Sequence, residues 1–360
     1  MISPRHNWTK EEIIAIYNKP LMDLLYEAAS IHREQHDPNV VQVSTLLSIK
    51  TGGCSEDCGY CPQAARYHTN IEGNDLMTVS QVKAQALRAR EAGSSRVCMG
   101  AAWRNVKDGK EFDDVLEMVR TINKLDMEVC CTLGMITENQ AQRLAEAGLY
   151  AYNHNLDSSE EYYKEVISTR GYQDRLDTID NVRKTNVTVC SGGIIGMGEN
   201  IEDRAGMLVA LSTLNPQPES TPINALVAVE GTPLEDQKPV SIWEMVRMVA
   251  TTRIVMPETQ VRLSAGRTQM SREGQAMCFF AGANSIFAGD KLLTTPNPDV
   301  NEDMKMFEQL GLNPQKPFTK KVQPQTVEAE NSEFQSLGEK PKWSRPGHKI
   351  EKNLEASGKK

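Results

Sequence analysis

Three cysteines stand within eight residues, in Cys54-Ser-Glu-Asp-Cys58-Gly-Tyr-Cys61-Pro. Thiolates are soft ligands that suit iron–sulfur clusters and zinc. Three of them this close can bind three irons of a cubane [4Fe–4S] cluster and leave the fourth iron open to another molecule. Structural zinc asks for four ligands, commonly in two pairs, and His68 could complete such a set. Zinc and unrelated thiols are the alternatives.

Cys98, Cys130 and Cys190 lie in separate apolar runs, as does Arg262. A thiol in such a run is often only a small buried residue. If the runs are strands of one barrel with these side chains pointing inward, the four meet in its interior. Cys131 follows Cys130, and neighbouring strand residues face opposite sides, so one of the two can face inward. Cys278 falls in a helical pattern and reads as a buried thiol.

Two further stretches carry polar or flexible residues. In Tyr152-Asn-His-Asn-Leu-Asp157, the residues Asn153, Asn155 and Asp157 share parity and can face one side. His154 has the opposite parity and reads as a packing or supporting residue. Capping and turn bonding is the alternative for the Asn and Asp side chains. Residues 192–199 read GGIIGMGE. Such glycines can cradle phosphate, admit a flat ligand close to the backbone, or merely turn a strand into a helix. The stretch lacks the Lys-Ser/Thr of a nucleotide loop, which favours the flat ligand.

A scaffold must gather these groups. Short apolar runs predict strands at 42–50, 95–101, 128–133, 150–156, 187–195, 222–229, 260–265 and 285–288. Helical patterns fall at 79–92, 111–125, 137–147, 172–185, 201–213, 241–256, 271–282 and 299–310. Eight β–α repeats predict a parallel sheet closed into a (β/α)8 TIM-type barrel, with an open doubly wound sheet as the alternative. In a barrel the cysteine loop after the first strand lies on the functional face.

Two helices precede the barrel. Thr9 and Glu12 predict a capping box for a helix over 10–18 that Pro20 ends, and 21–36 predicts a second. The expected division is an N-terminal helical extension (1–38), the barrel (39–318) and a disordered tail (319–360). The tail holds nine Lys/Arg and six Asp/Glu, too polar to offset its ordering entropy. Phe334 and Trp343 read as exposed aromatics within it.

The 360 residues are 39% hydrophobic and carry a net charge of −8. That composition supports a full core and argues against general nucleic-acid binding. No apolar stretch is long enough for a membrane span, and MISPRHNWTKEE does not resemble a signal peptide. A cytoplasmic location with reduced thiols is expected, so eight cysteines suggest metal or catalysis more than disulfides.

The cysteine motif resembles the radical S-adenosylmethionine enzymes. The likeness extends over roughly 5–315, through LLSIKTGGCSEDCGYCPQ, SRVCMGAAWR, YNHNLD, VCSGGIIGMGE, PINALV, VRLSAGR, MCFFAGANSIF and KLLTTPNP. It is greatest to the branch that inserts sulfur between C6 and C9 of dethiobiotin, closing the thiophane ring in the last step of biotin biosynthesis. The resemblance implies a [4Fe–4S] cluster on Cys54, Cys58 and Cys61. It implies S-adenosylmethionine near Tyr60, Asp157, Arg175 and Ile194, and dethiobiotin near Asn153, Asn155 and Asn224. It assigns Cys98, Cys130, Cys190 and Arg262 to a [2Fe–2S] cluster that donates the sulfur, with Cys130 rather than Cys131 inward. Whether Arg262 is a ligand or balances charge stays open, because guanidinium normally has no free lone pair. A homodimer, a flavodoxin-type electron donor and iron–sulfur assembly proteins are implied partners. Another enzyme of the same subgroup, or a non-catalytic iron–sulfur carrier, is the alternative.

Overall fold

The computed structural model describes residues 2–289 and 291–318. The strands are β1 (Val40–Lys50), β2 (Arg96–Ala101), β3 (Glu128–Thr132), β4 (Ala151–Asn153), β5 (Thr188–Cys190), β6 (Gly193–Ile195), β7 (Ser220–Ala225), β8 (Gln260–Leu263), β9 (Ser285–Ala288) and β10 (Asn313–Pro314). The sheet runs β1-β2-β3-β4-β5-β7-β8-β9, and β9 pairs with β1. Every pairing is parallel, so the sheet closes into the expected TIM-type barrel. The short run at 285–288 completes it, since Gln42 lies opposite Ser285 and Thr45 opposite Ala288.

The helices are α1 (Lys10–Tyr17), α2 (Leu21–Gln35), α3 (Val79–Glu91), α4 (Lys110–Asn123), α5 (Glu138–Glu146), α6 (Glu160–Val166), α7 (Tyr172–Arg183), α8 (Ile201–Thr213), α9 (Ile242–Val255), α10 (Arg272–Phe280) and α11 (Val300–Leu310). The Thr9–Glu12 capping box forms, and similar boxes open α3, α5 and α8. Each satisfies backbone donors that a helix start leaves unpaired. On α4, Phe112, Val115, Leu116, Met118, Val119 and Ile122 are buried, the stripe that seats a helix on the barrel wall. The leading helices α1 and α2 lie against α8 and α9.

The strands expected at 222–229 and 260–265 end at Ala225 and Leu263, and two others change more. The strand expected at 150–156 stops at Asn153, since Asp157 takes φ 69° and the chain turns before it. The strand expected at 187–195 breaks into β5 and β6 at Ser191-Gly192, where Gly192 presses against Pro222 and any Cβ would collide with its carbonyl. The helix α6 is an addition, capped by Ser159 and too short to show a clear period in sequence. The expected tail, with Phe334 and Trp343, lies outside the described residues.

The N-terminal mouth of the barrel is closed. Arg96 forms ion pairs with Glu128 at 2.8 Å and Glu219 at 3.1 Å, and its guanidinium lies over the Tyr150 ring. After α11 the chain pairs with β1 through β10, and the Phe318 N–H donates to Glu128 at 2.8 Å. Access to the interior is therefore from the opposite end, where the strands finish.

Candidate functional site

A cavity of about 330 Å³ opens at that end. Cys54, Cys58 and Cys61 border it, and so do Cys98, Cys130 and Arg262 deeper in the barrel. Tyr60, Asp157, Arg175 and Ile194 border it as well, with Asn153, Asn155 and Asn224. Of the expected residues only Cys190 does not, being fully buried behind Asn153 and Cys130. His68 does not border it either.

The cysteine loop is bolted to the segment before α7. Asp57 accepts the Ser168 and Thr169 N–H groups, each at 2.9 Å, and its own N–H donates to Thr169 Oγ1 at 3.1 Å. Burial pushes the Asp57 carboxyl up, but hydrogen bonds from Ser168 and Thr169 outweigh it and hold the carboxyl below its usual range. Glu56 accepts from the Thr169 hydroxyl and faces Arg104 at 3.4 Å and Arg170 at 3.8 Å. The three thiols are free. Burial pushes Cys58 up to about 11 and Cys61 to about 12, and it raises Cys54 too. They are protonated at neutral pH until a metal displaces the protons.

The deeper set follows from strand register. Leu46, Cys98 and Cys130 lie side by side across β1, β2 and β3. Asn153 lies opposite Cys190, and Pro222 opposite Arg262. Residues in register share a face, so Cys98, Cys130, Cys190 and Arg262 converge inside the barrel. Cys131 is opposite Met99 and Tyr152 and packs with the layer between strands and helices. Cys278 is likewise buried in that layer.

Cys130 interacts with both Cys98 and Cys190. Its hydrogen bond lowers Cys98 and draws Cys190 down to about 6, with Arg262 and Asn153 acting in the same direction on Cys190. Cys130 itself is pushed well up. One S–H serves one acceptor at a time, so the three titrate as a group. Arg262 Nη1 lies 3.7 Å from Cys190 Sγ, while Nε and Nη2 are fixed by Ser285 and the Gln42 side chain, each at 2.8 Å. These buried, soft thiol donors beside a cation suit an iron–sulfur cluster better than a hard ion. Among the described residues no three His, Cys, Asp or Glu side chains close on a single point as they would for one ion.

Polar groups organise the rest. Asn153 Nδ2 donates to Cys190 Sγ at 3.2 Å and to Asn155 Oδ1 at 3.1 Å. Asn155 Oδ1 also accepts the Gly192 N–H at 3.2 Å. Asn224 spans the Gly193 carbonyl at 2.9 Å and the Ala265 N–H at 3.1 Å. Arg175 donates to Asp157, to the Asn155 carbonyl at 2.7 Å and to Tyr163 at 3.0 Å. His154 borders the cavity despite its parity, because strand alternation ends at Asn153.

Several contributors carry weaker signals in the sequence. Gln42 and Ser285 grip Arg262, and polar residues at inward parity on the first and last strands were the available signal. Arg170 borders the cavity from a loop with no periodic pattern to place it. Leu292 and Thr295 close the cavity from the segment after β9.

Residues 48–211 match the family model described as Radical SAM superfamily, and 222–313 match the Biotin and Thiamin Synthesis associated domain. Biotin synthase of Flavobacterium psychrophilum is 88% identical over 355 residues, covering 99% of this chain and 98% of that one. Mitochondrial biotin synthase of Arabidopsis thaliana is 58% identical over 315 residues, covering 87% and 83%. Among solved structures, methylornithine synthase superposes with TM-score 0.72 at 18% identity, covering 86% of this chain and 94% of that one. A FeFe-hydrogenase maturase from Carboxydothermus hydrogenoformans gives 0.72 at 16% identity, covering 86% and 76%. At such identities these two speak to the fold alone.

Proposed function

The chain belongs to the biotin synthase family of radical S-adenosylmethionine enzymes, and from that premise we propose how its residues divide the work of inserting sulfur into dethiobiotin. Cys54, Cys58 and Cys61 hold a [4Fe–4S] cluster whose open iron takes S-adenosylmethionine. Cys98, Cys130 and Cys190 hold a [2Fe–2S] cluster, with Arg262 beside it. One observation carries this reading: the first thiol set borders the cavity at its rim, and Cys98 and Cys130 of the second border it deeper in the barrel with Cys190 buried behind them.

When bound, the rim cluster supplies the electron that cleaves S-adenosylmethionine, giving a radical able to take hydrogen from unactivated carbon. The protein's part is to bind, orient and exclude. Asp157 offers a carboxylate to the ribose hydroxyls, held in place by Arg175 and Tyr60. Ile194 gives the adenine an apolar support, and Tyr60 packs nearby. Asn155 and Asn224 present amide edges to dethiobiotin, with Asn153 between them and the inner sulfurs. Phe287 and Leu292 wall the same space with apolar surface. Arg262 offsets the charge of the inner thiolates, a role its fixed contacts to Gln42 and Ser285 support.

Among the described residues no helix is long and apolar enough to cross a membrane. A cytoplasmic homodimer served by a flavodoxin-type donor and by iron–sulfur assembly proteins fits this reading. The division into helical extension (1–38), barrel (39–318) and tail (319–360) belongs to it too.

Anaerobic reconstitution with iron and sulfide, then dethiobiotin, S-adenosylmethionine and reductant, tests the reading by mass spectrometry. Biotin and 5′-deoxyadenosine should form together. 5′-Deoxyadenosine without biotin would point to another reaction of the same subgroup. Neither product from a fully loaded protein would point to a carrier.

A further inference from the structure

Among the buried cations of the cavity, Arg170 stands apart. Arg175 spends three of its nitrogens on Tyr163, Asn155 and Asp157, and Arg262 is gripped by Gln42 and Ser285. Arg170 is 6% exposed and borders the same cavity as Cys54 and Cys58, yet its Nε has no hydrogen-bond partner among the described residues. Its counter-ion is Glu56, whose Oε1 lies 3.8 Å away and is itself without a hydrogen bond. That distance is an ion pair but not a hydrogen bond. Glu56 is only 3% exposed and sits inside the cysteine loop, between Cys54 and Cys58. A buried guanidinium with an unspent donor is costly unless something further compensates it.

We infer that Arg170 and Glu56 set the reduction potential of the [4Fe–4S] cluster on Cys54, Cys58 and Cys61, Arg170 raising it and Glu56 holding it down. The inference rests on the site assignment above. Iron–sulfur potentials respond to net charge, hydrogen bonds to sulfur and solvent exposure. Accepting one electron from a low-potential donor adds a negative charge to the cluster. A cation beside its thiolates stabilises the reduced form, and a carboxylate there opposes it. Arg104, 3.4 Å from the same Glu56 oxygen, limits how far the carboxylate prevails.

The test is a mediated redox titration of the reconstituted protein without S-adenosylmethionine, following the paramagnetic signal of the reduced cubane. Arg170→Gln should make reduction about tenfold less favourable, a fall of about 59 mV for a one-electron couple. Glu56→Gln should move the midpoint the opposite way, and Arg170→Lys should stay near the unmodified protein. Shifts of opposite sign are not what loop damage would give. If Arg170→Gln loses the cluster, the Glu56→Gln and Arg170→Lys arms still decide. A Glu56→Gln midpoint that is unchanged or lower overturns the inference, as does an unmoved Arg170→Gln midpoint. An unmodified protein that assembles no cubane overturns the site assignment and this inference with it.

Discussion

The Tyr60 hydroxyl donates to Asp157 Oδ2 at 2.7 Å, joining the cysteine loop to the turn after the fourth strand across 97 residues of sequence. Asp157 has φ 69°, a left-handed conformation that asparagine and aspartate tolerate better than most residues. Its backbone is held on both sides, its N–H donating to the Gly192 carbonyl at 3.1 Å and its carbonyl accepting the Ile194 N–H at 2.9 Å. Arg175 donates to the same carboxylate oxygen. One side chain thus ties together the cysteine loop, the GGII segment and α7. The groups expected to meet S-adenosylmethionine are therefore positioned by each other.

Asp157→Asn tests that arrangement. The amide keeps the shape but loses the charge that engages Arg175 and strengthens hydrogen bonds to hydroxyls. A charge-assisted hydrogen bond is worth about 1.5–3 kcal/mol, so affinity for S-adenosylmethionine should fall tenfold or more. The cubane absorbance should persist, because no cysteine ligand changes. Equilibrium binding to the reconstituted protein measures this, and unchanged affinity would remove Asp157 from the proposed site.

Cys130 and Cys131 provide an internal control. Cys130→Ala should abolish the [2Fe–2S] absorption and biotin formation while the cubane spectrum remains. Cys131→Ala should spare both clusters, since that thiol packs outside the barrel lumen. Arg262→Lys keeps charge and loses the planar donor fork, so retention of the small cluster would assign Arg262 to charge balance. Mössbauer spectra distinguish the variants, and a Cys131 variant that alone lost the small cluster would contradict the strand register.

Much of this was legible because period and spacing are local properties. The eight strands could be read from short apolar runs, whereas alternation only says that one of Cys130 and Cys131 faces inward, and the family resemblance made that choice. What stayed hidden is held by contacts distant in sequence. No pattern announces that Asp57 will accept N–H groups from 168 and 169, or that Gln42 will meet Arg262. His154 shows the limit of parity itself: alternation constrains a residue only while the strand lasts, and this strand ends one residue earlier. The break at Ser191-Gly192 depends on Pro222, which lies on a neighbouring strand.

Asp57 should matter for holding the cluster. Asp57→Ala leaves the Ser168 and Thr169 N–H groups without their acceptor in a buried place. Each such loss costs about 1–3 kcal/mol. Melting temperature should fall by roughly 5–10 °C, and iron retained after gel filtration should drop. Asp57→Asn keeps one acceptor oxygen and should sit between. Normal melting and full iron content in the alanine variant would show that the loop is held some other way.

Away from the site, His32 on α2 supplies a pH test of the leading helices. It is 2% exposed, and burial first, then Arg253 and Arg33, lower its pKa to about 3. The unfolded chain binds the proton near pH 6.5, whereas the folded chain resists it until about pH 3. Between those values the unfolded state holds more protons, so stability rises with pH across the window and is lost on acidification. A tenfold difference in proton affinity between the two states is worth about 1.4 kcal/mol, so lowering pH from 7 to 5 should remove roughly 2 kcal/mol through this residue. His32 Nδ1 has no hydrogen-bond partner among the described residues, so His32→Leu removes the titration while giving up no bond at that atom. Urea unfolding midpoints from pH 7 to 5 should decline less steeply in the leucine variant. Parallel declines in the two proteins would mean that His32 accepts its proton without leaving the fold.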